Sequence, residues 1–266
     1  MYQSHWGLQD TPFRNRFDPR FFFESPTHEE GLARLHFLVE QQRRLGLLMG
    51  GSGTGKSLLL EIFADQMRRR GFPVVCMSLV GLEPPEMLRE MAIQFGRDPG
   101  SRTMPELWQM VLDRIREYRY QQWATVVLLD DADQASGAVL THVVRLAQYD
   151  LSPESRLTLV LAGRQERMGR LGETLLELSE LRIDLQDWQR DDTESYIART
   201  LTRAGCNKPL FDKPAIVRLH ELSQGVPRRL NQLADLSLAA GAGQELTQIN
   251  AETVESVYHE LGVVEI

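Results

Sequence analysis

A glycine-rich segment that ends in lysine and serine carries the clearest chemical signal in this chain. Residues 50–57 read Gly-Gly-Ser-Gly-Thr-Gly-Lys-Ser and fit the pattern G-x-x-x-x-G-K-[ST]. Glycines let a backbone fold tightly enough for its N–H groups to point at phosphate oxygens, and a following helix start adds partial positive charge. Only Lys56, Lys208 and Lys213 are lysines, which argues against a chance match. The segment predicts a phosphate-binding loop.

The residues of this loop have distinct expected roles. Lys56 should reach the β and γ phosphates of ATP, and the hydroxyl of Ser57 should be a ligand of Mg²⁺. ATP and Mg²⁺ are therefore the expected cofactors. The expected nucleotide-binding residues of the loop are Gly51, Ser52, Gly53, Thr54, Gly55, Lys56, Ser57 and Leu58.

Two acidic residues end an apolar run downstream of the loop. Residues 125–131 read Thr-Val-Val-Leu-Leu-Asp-Asp, the pattern of a buried strand with carboxylates at its end. We expect Asp130 to bind Mg²⁺ beside Ser57, and Asp131 to act in catalysis by polarising the attacking water. A pair of solvated acids is the alternative for a strand end without a phosphate loop.

Two arginines are further candidates for nucleotide contacts. Arg164 follows the apolar run 157–162, and parallel strands present their carboxyl ends to a ligand, so it is a candidate sensor of the γ-phosphate. Arg228 follows Pro227, which suits a first helical turn. For each, a solvated arginine at a helix start is the alternative, and spacing alone leaves both open.

Alternating strand and helix patterns must position these residues. Strands are predicted at 45–49, 73–80, 124–129, 157–162 and 181–185, with helices between them, including one over 165–178. This alternation predicts an α/β P-loop fold with a parallel sheet between helices. After Trp188 only helical patterns follow, which predicts a small all-helical lid domain. The expected domains are 1–188, with the aromatic-rich residues 1–27 as an extended N-terminal arm, and 189–266.

Composition limits the partners and the compartment. The net charge of −7 does not favour DNA as a partner, although a local basic patch remains compatible with it. The two cysteines, Cys76 and Cys206, provide no zinc cluster and are expected to be reduced. No apolar run approaches the ~20 residues that cross a bilayer, and the first residues lack a signal-peptide pattern. We expect no membrane span and a cytoplasmic location.

The chain resembles AAA+ ATPases of the general secretion pathway A (ExeA-like) type in four features taken together. These are the phosphate loop, the LLDDA strand end, the GVPRR-N segment at 225–231 and the arm. The resemblance implies that Asp130 and Asp131 form the acidic second motif. It also implies that Arg228 is the lid arginine that touches nucleotide during catalysis. In the arm, Pro19 and Phe21 would bind adenine, together with Phe13 and residues 25–29.

Several residues depart from this family pattern. Asp131 stands where glutamate is usual, which predicts slow hydrolysis. Asp133 is the alternative residue for holding the attacking water. Arg164 stands near a usual glutamine. The arginine that commonly contacts a neighbouring subunit has three remaining candidates, Arg167, Arg170 and Arg182.

The leading expectation is an oligomeric ATPase whose nucleotide state changes the angle of its lid and so remodels or regulates a partner protein. A DNA-binding regulator similar to the ATPases that choose transposon targets is a second hypothesis, for which the arginines at 68–70 and 228–229 could serve. A nucleotide switch that barely hydrolyses ATP is a third, motivated by Asp131. Small-molecule kinases rank last, because they do not explain the helical lid.

Overall fold

A computed structural model of the chain describes residues 2–14, 21–152 and 154–262. The chain divides into two compact units. An α/β unit contains Pro26–Gly51 and Lys56–Leu185, and a helical unit contains Met1–Ser25, Ser52–Gly55 and Gln186–Ile266. The division at residue 188 stays a prediction, but here the N-terminal arm groups with the helical unit rather than with the sheet.

The α/β unit is built on a five-stranded sheet in which every pairing is parallel. The strands follow the order β2-β3-β4-β1-β5 across the sheet. Their bounds are β1 Leu45–Gly50, β2 Val74–Ser78, β3 Thr125–Asp130, β4 Leu157–Arg164 and β5 Leu181–Leu185. All residues of β1 and β3 are buried, as expected for central strands of a sheet covered on both faces. The predicted α/β fold is confirmed.

The register brings the last residues of the strands together at one edge of the sheet. Gly50, the last residue of β1, pairs with Arg164 at the end of β4 and with Leu185 at the end of β5. Ser78, the last residue of β2, pairs with Asp130 at the end of β3. Parallel strands bring their carboxyl ends together, so the register collects residues from distant parts of the sequence.

Six helices connect the strands and cover the sheet of the α/β unit. They are α2 Pro26–Glu40, α3 Lys56–Arg69, α4 Pro84–Gln94, α5 Met104–Tyr120, α6 Gly137–Ala147 and α7 Glu173–Leu178. The predicted helix over 165–178 is wrong as a single element. A 3₁₀ helix, Gln165–Leu171, precedes α7, and Gly172 separates them at φ +82°, a backbone conformation that breaks a right-handed helix.

The helical unit contains α1 Tyr2–Trp6, α8 Arg190–Arg203, α9 Lys213–Ser223, α10 Pro227–Gly243 and α11 Ala251–Glu260. The start of the arm is helical rather than extended, which corrects the sequence expectation. Its helix is held by Trp6, which is 6% exposed and donates its indole N–H to the carbonyl of Leu238 over 2.8 Å. No helix in the described ranges is long and apolar enough to cross a membrane.

Candidate functional site

The glycine-rich loop adopts a backbone that its sequence is suited to form. It follows β1 and leads into α3, which begins at Lys56. Gly53 and Gly55 have φ values of +85° and +98°, a region that side chains strongly disfavour. The strand–loop–helix context is the one in which this motif binds phosphate. In the α/β unit the loop contributes Gly50, Gly51 and the first turn of α3.

Lys56 is held close to the loop from which it projects. Its side-chain nitrogen donates to the carbonyl of Gly50 over 2.9 Å and to that of Gly51 over 2.6 Å. Lys56 is only 9% exposed, and burial lowers the pKa of its ammonium group, while the nearby carboxylates of Asp130 and Asp133 oppose that shift. The arrangement places a desolvated cation at the loop, where it can bind a phosphate oxygen strongly.

Ser57 and Asp130 meet beside this lysine. The hydroxyl of Ser57 lies near enough to the carboxylate of Asp130, which is 9% exposed, to lower its pKa. Burial raises the pKa of Asp130, while the hydroxyl of Ser57 and the charge of Lys56 act against that shift. A hydroxyl and a neighbouring carboxylate are hard oxygen ligands of the kind that Mg²⁺ prefers, so the two residues fit the metal role predicted for them.

Asp131 follows β3 in a left-handed backbone conformation, with φ 53° and ψ 32°. Its N–H donates to Oδ1 of Asp130 over 2.9 Å. Both of its own carboxylate oxygens accept hydrogen bonds, Oδ2 from the hydroxyl of Ser78 over 3.1 Å and Oδ1 from the amide of Gln134 over 2.9 Å. Neither Ser78 nor Gln134 is among the site residues predicted from the sequence; for Ser78, its position at the end of a strand is the only signal.

Asp133 and Arg164 form an ion pair at the end of β4. The side chain of Asp133 is fully buried, and that of Arg164 is 25% exposed. Arg164 donates to Asp133 from its backbone N–H and from Nε, each over 3.3 Å. A Cβ atom on Gly163 would lie 2.9 Å from Oδ1 of Asp133, so glycine leaves room for the carboxylate. Asp133 is thus bonded to Arg164, the residue predicted as sensor.

The remainder of the loop, Ser52–Gly55, lies in the helical unit and touches the start of α10. The backbone N–H of Arg228 donates to the carbonyl of Gly53 over 3.3 Å. A Cβ atom on Gly53 would lie 2.8 Å from the Cβ of Arg228 and 3.1 Å from a methyl carbon of Val226. The predicted lid arginine and a loop glycine therefore meet through their backbones, while the side chain of Arg228 is exposed.

The remaining predicted residues belong to the N-terminal arm and to the loop, and the structure gives for them only their burial and packing. Pro19 lies outside the described residues, and Phe21 is half-buried. Phe13 is 1% exposed and packs edge-on against Tyr196, with ring centroids 6.1 Å apart, so this part of the arm belongs to the core of the helical unit. Loop residue Ser52 is exposed, Thr54 is buried and Leu58 is half-buried on α3.

The three candidate finger arginines differ in their surroundings. Arg167 and Arg170 are exposed on the 3₁₀ helix that follows β4. Arg182 forms an ion pair with Asp184, whose carboxylate lies 3.0 Å from its Nε.

Comparison with known proteins places this site in a family context. The AAA domain family matches residues 39–171, which include the loop, the acidic strand end and Arg164. The chain is 27% identical over 252 residues to general secretion pathway protein A of Aeromonas hydrophila, covering 90% of this chain. It spans 45% of the length of that relative.

Solved structures show the same fold at low sequence identity. Cdc6p from Pyrobaculum aerophilum is 16% identical with a TM-score of 0.75, over 95% of this chain and 71% of that one. The Aeropyrum pernix Orc1 protein, solved in complex with DNA, is 17% identical with a TM-score of 0.65, over 97% of this chain and 69% of that one. The branch migration motor RuvB of Thermotoga maritima is 15% identical with a TM-score of 0.61, over 92% and 71%. The resemblance drawn from the motifs is confirmed, and the chain belongs to the AAA domain family, as a nucleotide-binding AAA+ protein similar to general secretion pathway protein A.

Proposed function

We propose that this protein binds ATP with Mg²⁺ and hydrolyses it. The observation that carries the proposal is the buried ammonium of Lys56, which is bonded to the loop carbonyls of Gly50 and Gly51 and lies near the buried carboxylate of Asp130. A phosphate loop alone supports binding, whereas a hydroxyl and a buried carboxylate near that loop support a metal-assisted reaction. Among the described residues, no group of three His, Cys, Asp or Glu side chains could hold a metal alone, so phosphates and water would complete the magnesium shell.

Each residue has a part in this proposal. Mg²⁺, when bound, would neutralise charge that develops on the phosphates. Ser57 and Asp130 would hold it, and Lys56 would exchange the carbonyls of Gly50 and Gly51 for phosphate oxygens. Asp131 would orient the attacking water and accept its proton. Arg228, whose backbone N–H donates to the carbonyl of Gly53, would touch the nucleotide as the family resemblance implies.

The surroundings of Asp131 favour slow turnover. Its side chain is one methylene shorter than glutamate, and both its oxygens already accept hydrogen bonds from Ser78 and Gln134. These bonds leave one lone pair on each oxygen for a water, but they fix the direction in which the carboxylate points. A protein that keeps ATP bound for a long time and acts as a switch is therefore the second form of the proposal.

A role in remodelling or regulating a partner protein rests on the similarity to the secretion pathway protein. Oligomerisation belongs to the same proposal, because the family resemblance implies an arginine supplied to a neighbouring subunit, for which Arg167, Arg170 and Arg182 are the candidates. The hydrogen bond between Gly53 and Arg228 supports such a role, because a change in the conformation of the loop would move the start of α10.

DNA binding is the competing proposal. A structurally similar protein was solved with DNA. However, Arg69 pairs with Asp65 and Arg70 with Glu40, which reduces the positive charge that the arginine-rich stretch offers to phosphates. Salt-dependent DNA binding that appears only with ATP would favour this alternative.

The proposed activity is tested by measuring ATP turnover with Mg²⁺ over a range of protein concentrations. Lys56→Ala and Asp131→Asn should each reduce turnover at least ~100-fold, because they remove a phosphate contact and the group that orients water. Lys208→Ala is the matched control, since Lys208 is exposed and outside the loop, and it should turn over at the wild-type rate. Turnover per chain that rises with concentration would support shared sites between subunits. ATP binding without turnover at any concentration would favour the switch, and absence of ATP binding would refute the proposal.

A further inference from the structure

A groove between α5 and α6 lies outside the phosphate site and has no role in the proposed hydrolysis. Its volume is about 380 Å³. It is lined by Met104, Pro105, Trp108, Gln109, Leu112, His142 and Arg145. These residues combine an apolar wall with a few polar groups, which is the usual composition of a binding site in proteins.

Three side chains in this groove form one connected arrangement. The indole N–H of Trp108 donates to Nδ1 of His142 over 3.0 Å. The guanidinium carbon of Arg145 lies 4.4 Å from the centre of the Trp108 ring. An indole nitrogen only donates, so Nδ1 of His142 must accept and the neutral ring carries its proton on Nε2. His142 therefore has one N–H left to offer, beside the cation of Arg145.

Arg145 differs from many other arginines of this acidic chain. Within the described ranges, no carboxylate lies within ion-pairing distance of it, whereas Arg116 of α5 pairs with Asp113 over 2.9 Å. Its position in the last turn of α6 gives it a favourable interaction with the helix dipole. That interaction explains a cation at this point of the helix, but it does not explain the groove beside the cation.

We propose that this groove binds an acidic, partly apolar peptide segment of a partner protein, with a carboxylate at Arg145 and His142 and an apolar side chain against Met104 and Leu112. Charge complementarity decides the class of ligand. Arg145 and His142 are hydrogen-bond donors that have no carboxylate partner within the described ranges, and a carboxylate of the ligand can accept from both. The apolar wall favours a peptide over a nucleic-acid backbone, for which a single arginine provides little.

The state of His142 supports this assignment. Burial and the neighbouring charge of Arg145 lower the pKa of His142, so the ring is neutral at pH 7 and keeps the Nε2 proton as a donor. An incoming carboxylate would accept that proton in a hydrogen bond and relieve the unpaired charge of Arg145. The bond from Trp108 fixes the ring in the required orientation.

The test uses the indole N–H of Trp108 as a reporter in ¹H–¹⁵N NMR spectra of the full chain without nucleotide. The probes are the peptides Ac-Leu-Glu-Leu-Glu-NH₂ and Ac-Leu-Gln-Leu-Gln-NH₂. We expect the glutamate peptide to shift the Trp108 signal in a saturable way and the glutamine peptide to bind at least ~10-fold more weakly, since hydrogen bonds between charged groups are about twice as strong as neutral ones. The signal is assigned with Trp108→Phe, or by triple-resonance experiments on the wild type if that variant does not fold.

Variants separate the groove from the rest of the surface. Arg145→Gln should weaken binding of the glutamate peptide about tenfold and leave ATP turnover unchanged, because Arg145 is outside the phosphate site. Arg116→Gln is the matched control: it removes an arginine that also lies over an aromatic ring, Tyr149, but not in the groove, and should bind as the wild type does. Four outcomes would each overturn the proposal. The two peptides could shift the Trp108 signal equally, or the glutamate peptide could cause no shift at ~10 mM. The two variants could lose the same affinity, or a single-stranded oligonucleotide could shift the signal when the peptide does not. ATP plays no part in the binding experiment, so its outcome is independent of the hydrolysis test.

Discussion

The hydroxyl of Ser78, at the end of β2, donates a hydrogen bond to Oδ2 of Asp131, the residue that follows β3, over 3.1 Å. Together with the bond from Gln134, it gives each oxygen of the carboxylate proposed to orient water one donor. The two donors fix the direction of the side chain and leave one lone pair on each oxygen for a water. In the proposed reaction, this restraint slows the alignment of the carboxylate with the attacking water.

Removing the serine donor should accelerate hydrolysis. A hydrogen bond of this kind is worth about 1 kcal/mol, so Ser78→Ala should raise kcat about fivefold, with little change in ATP affinity. Steady-state turnover and nucleotide titration measure the two quantities. Ser179→Ala is the control, because its hydroxyl donates to a carbonyl of α7 and not to the site. A fall in kcat in Ser78→Ala would show instead that Ser78 positions Asp131 for catalysis.

The pair formed by Asp133 and Arg164 should be sensitive to the loss of either partner. Arg164→Gln leaves the fully buried carboxylate of Asp133 without its cation, and we expect a loss of about 2–4 kcal/mol in the free energy of unfolding. Asp133→Asn combined with Arg164→Gln should recover much of that loss, because no unpaired charge remains. Denaturant titration gives the values.

The exposed pair of Arg182 and Asp184 provides the comparison for this ion pair. Arg182→Gln should change the free energy of unfolding by less than about 1 kcal/mol. Additive losses in the double variant of Asp133 and Arg164 would contradict the coupling.

Gly225 is required by the backbone just before α10. Its φ is +71°, and a Cβ atom there would lie 2.2 Å from the carbonyl oxygen of Trp188. Gly225→Ala should therefore destabilise the protein by about 3 kcal/mol or more, measured by thermal or denaturant unfolding. Gly243→Ala, at the end of α10 with no atom within 4 Å of the new methyl group, should be neutral or stabilising by up to about 1 kcal/mol. Similar losses in both variants would contradict this assignment.

Asp130 should reduce stability at neutral pH in the absence of nucleotide. Burial raises its pKa above the ordinary value, so between the unfolded and folded pKa values the native state binds more protons than the unfolded state. Stability from this group is therefore present at low pH and is lost as pH rises through the folded pKa. Asp130→Asn should raise the free energy of unfolding at pH 7, by an amount that shrinks as the pH is lowered toward 4.

The control for this pH dependence is an exposed aspartate. Asp65→Asn removes a surface ion pair with Arg69 and should change stability by no more than about 0.5 kcal/mol, without this pH dependence. A destabilised Asp130→Asn at pH 7 would show that the interactions of the carboxylate with the hydroxyl of Ser57 and the charge of Lys56 outweigh the effect of burial.

Local patterns in the sequence were sufficient for the sheet, the phosphate loop and the family. Eight consecutive residues form the loop, and their glycines, lysine and serine are required by backbone conformation and phosphate chemistry, so their order alone is informative. The continuous apolar runs of β1 and β3 predict strands that are buried on both faces. The helix predicted over 165–178 was wrong because one glycine in a positive-φ conformation interrupts a continuous apolar pattern.

Only the tertiary structure decided which side chains surround the predicted ones. Ser78 and Asp131 are 53 positions apart, Asp133 and Arg164 are 31 apart, and Trp108 and His142 are 34 apart. These contacts depend on the order and register of parallel strands and on how helices pack over them, and no local pattern encodes either. The sequence by itself determined that a nucleotide site exists, and the fold determined which side chains hold the carboxylate of Asp131.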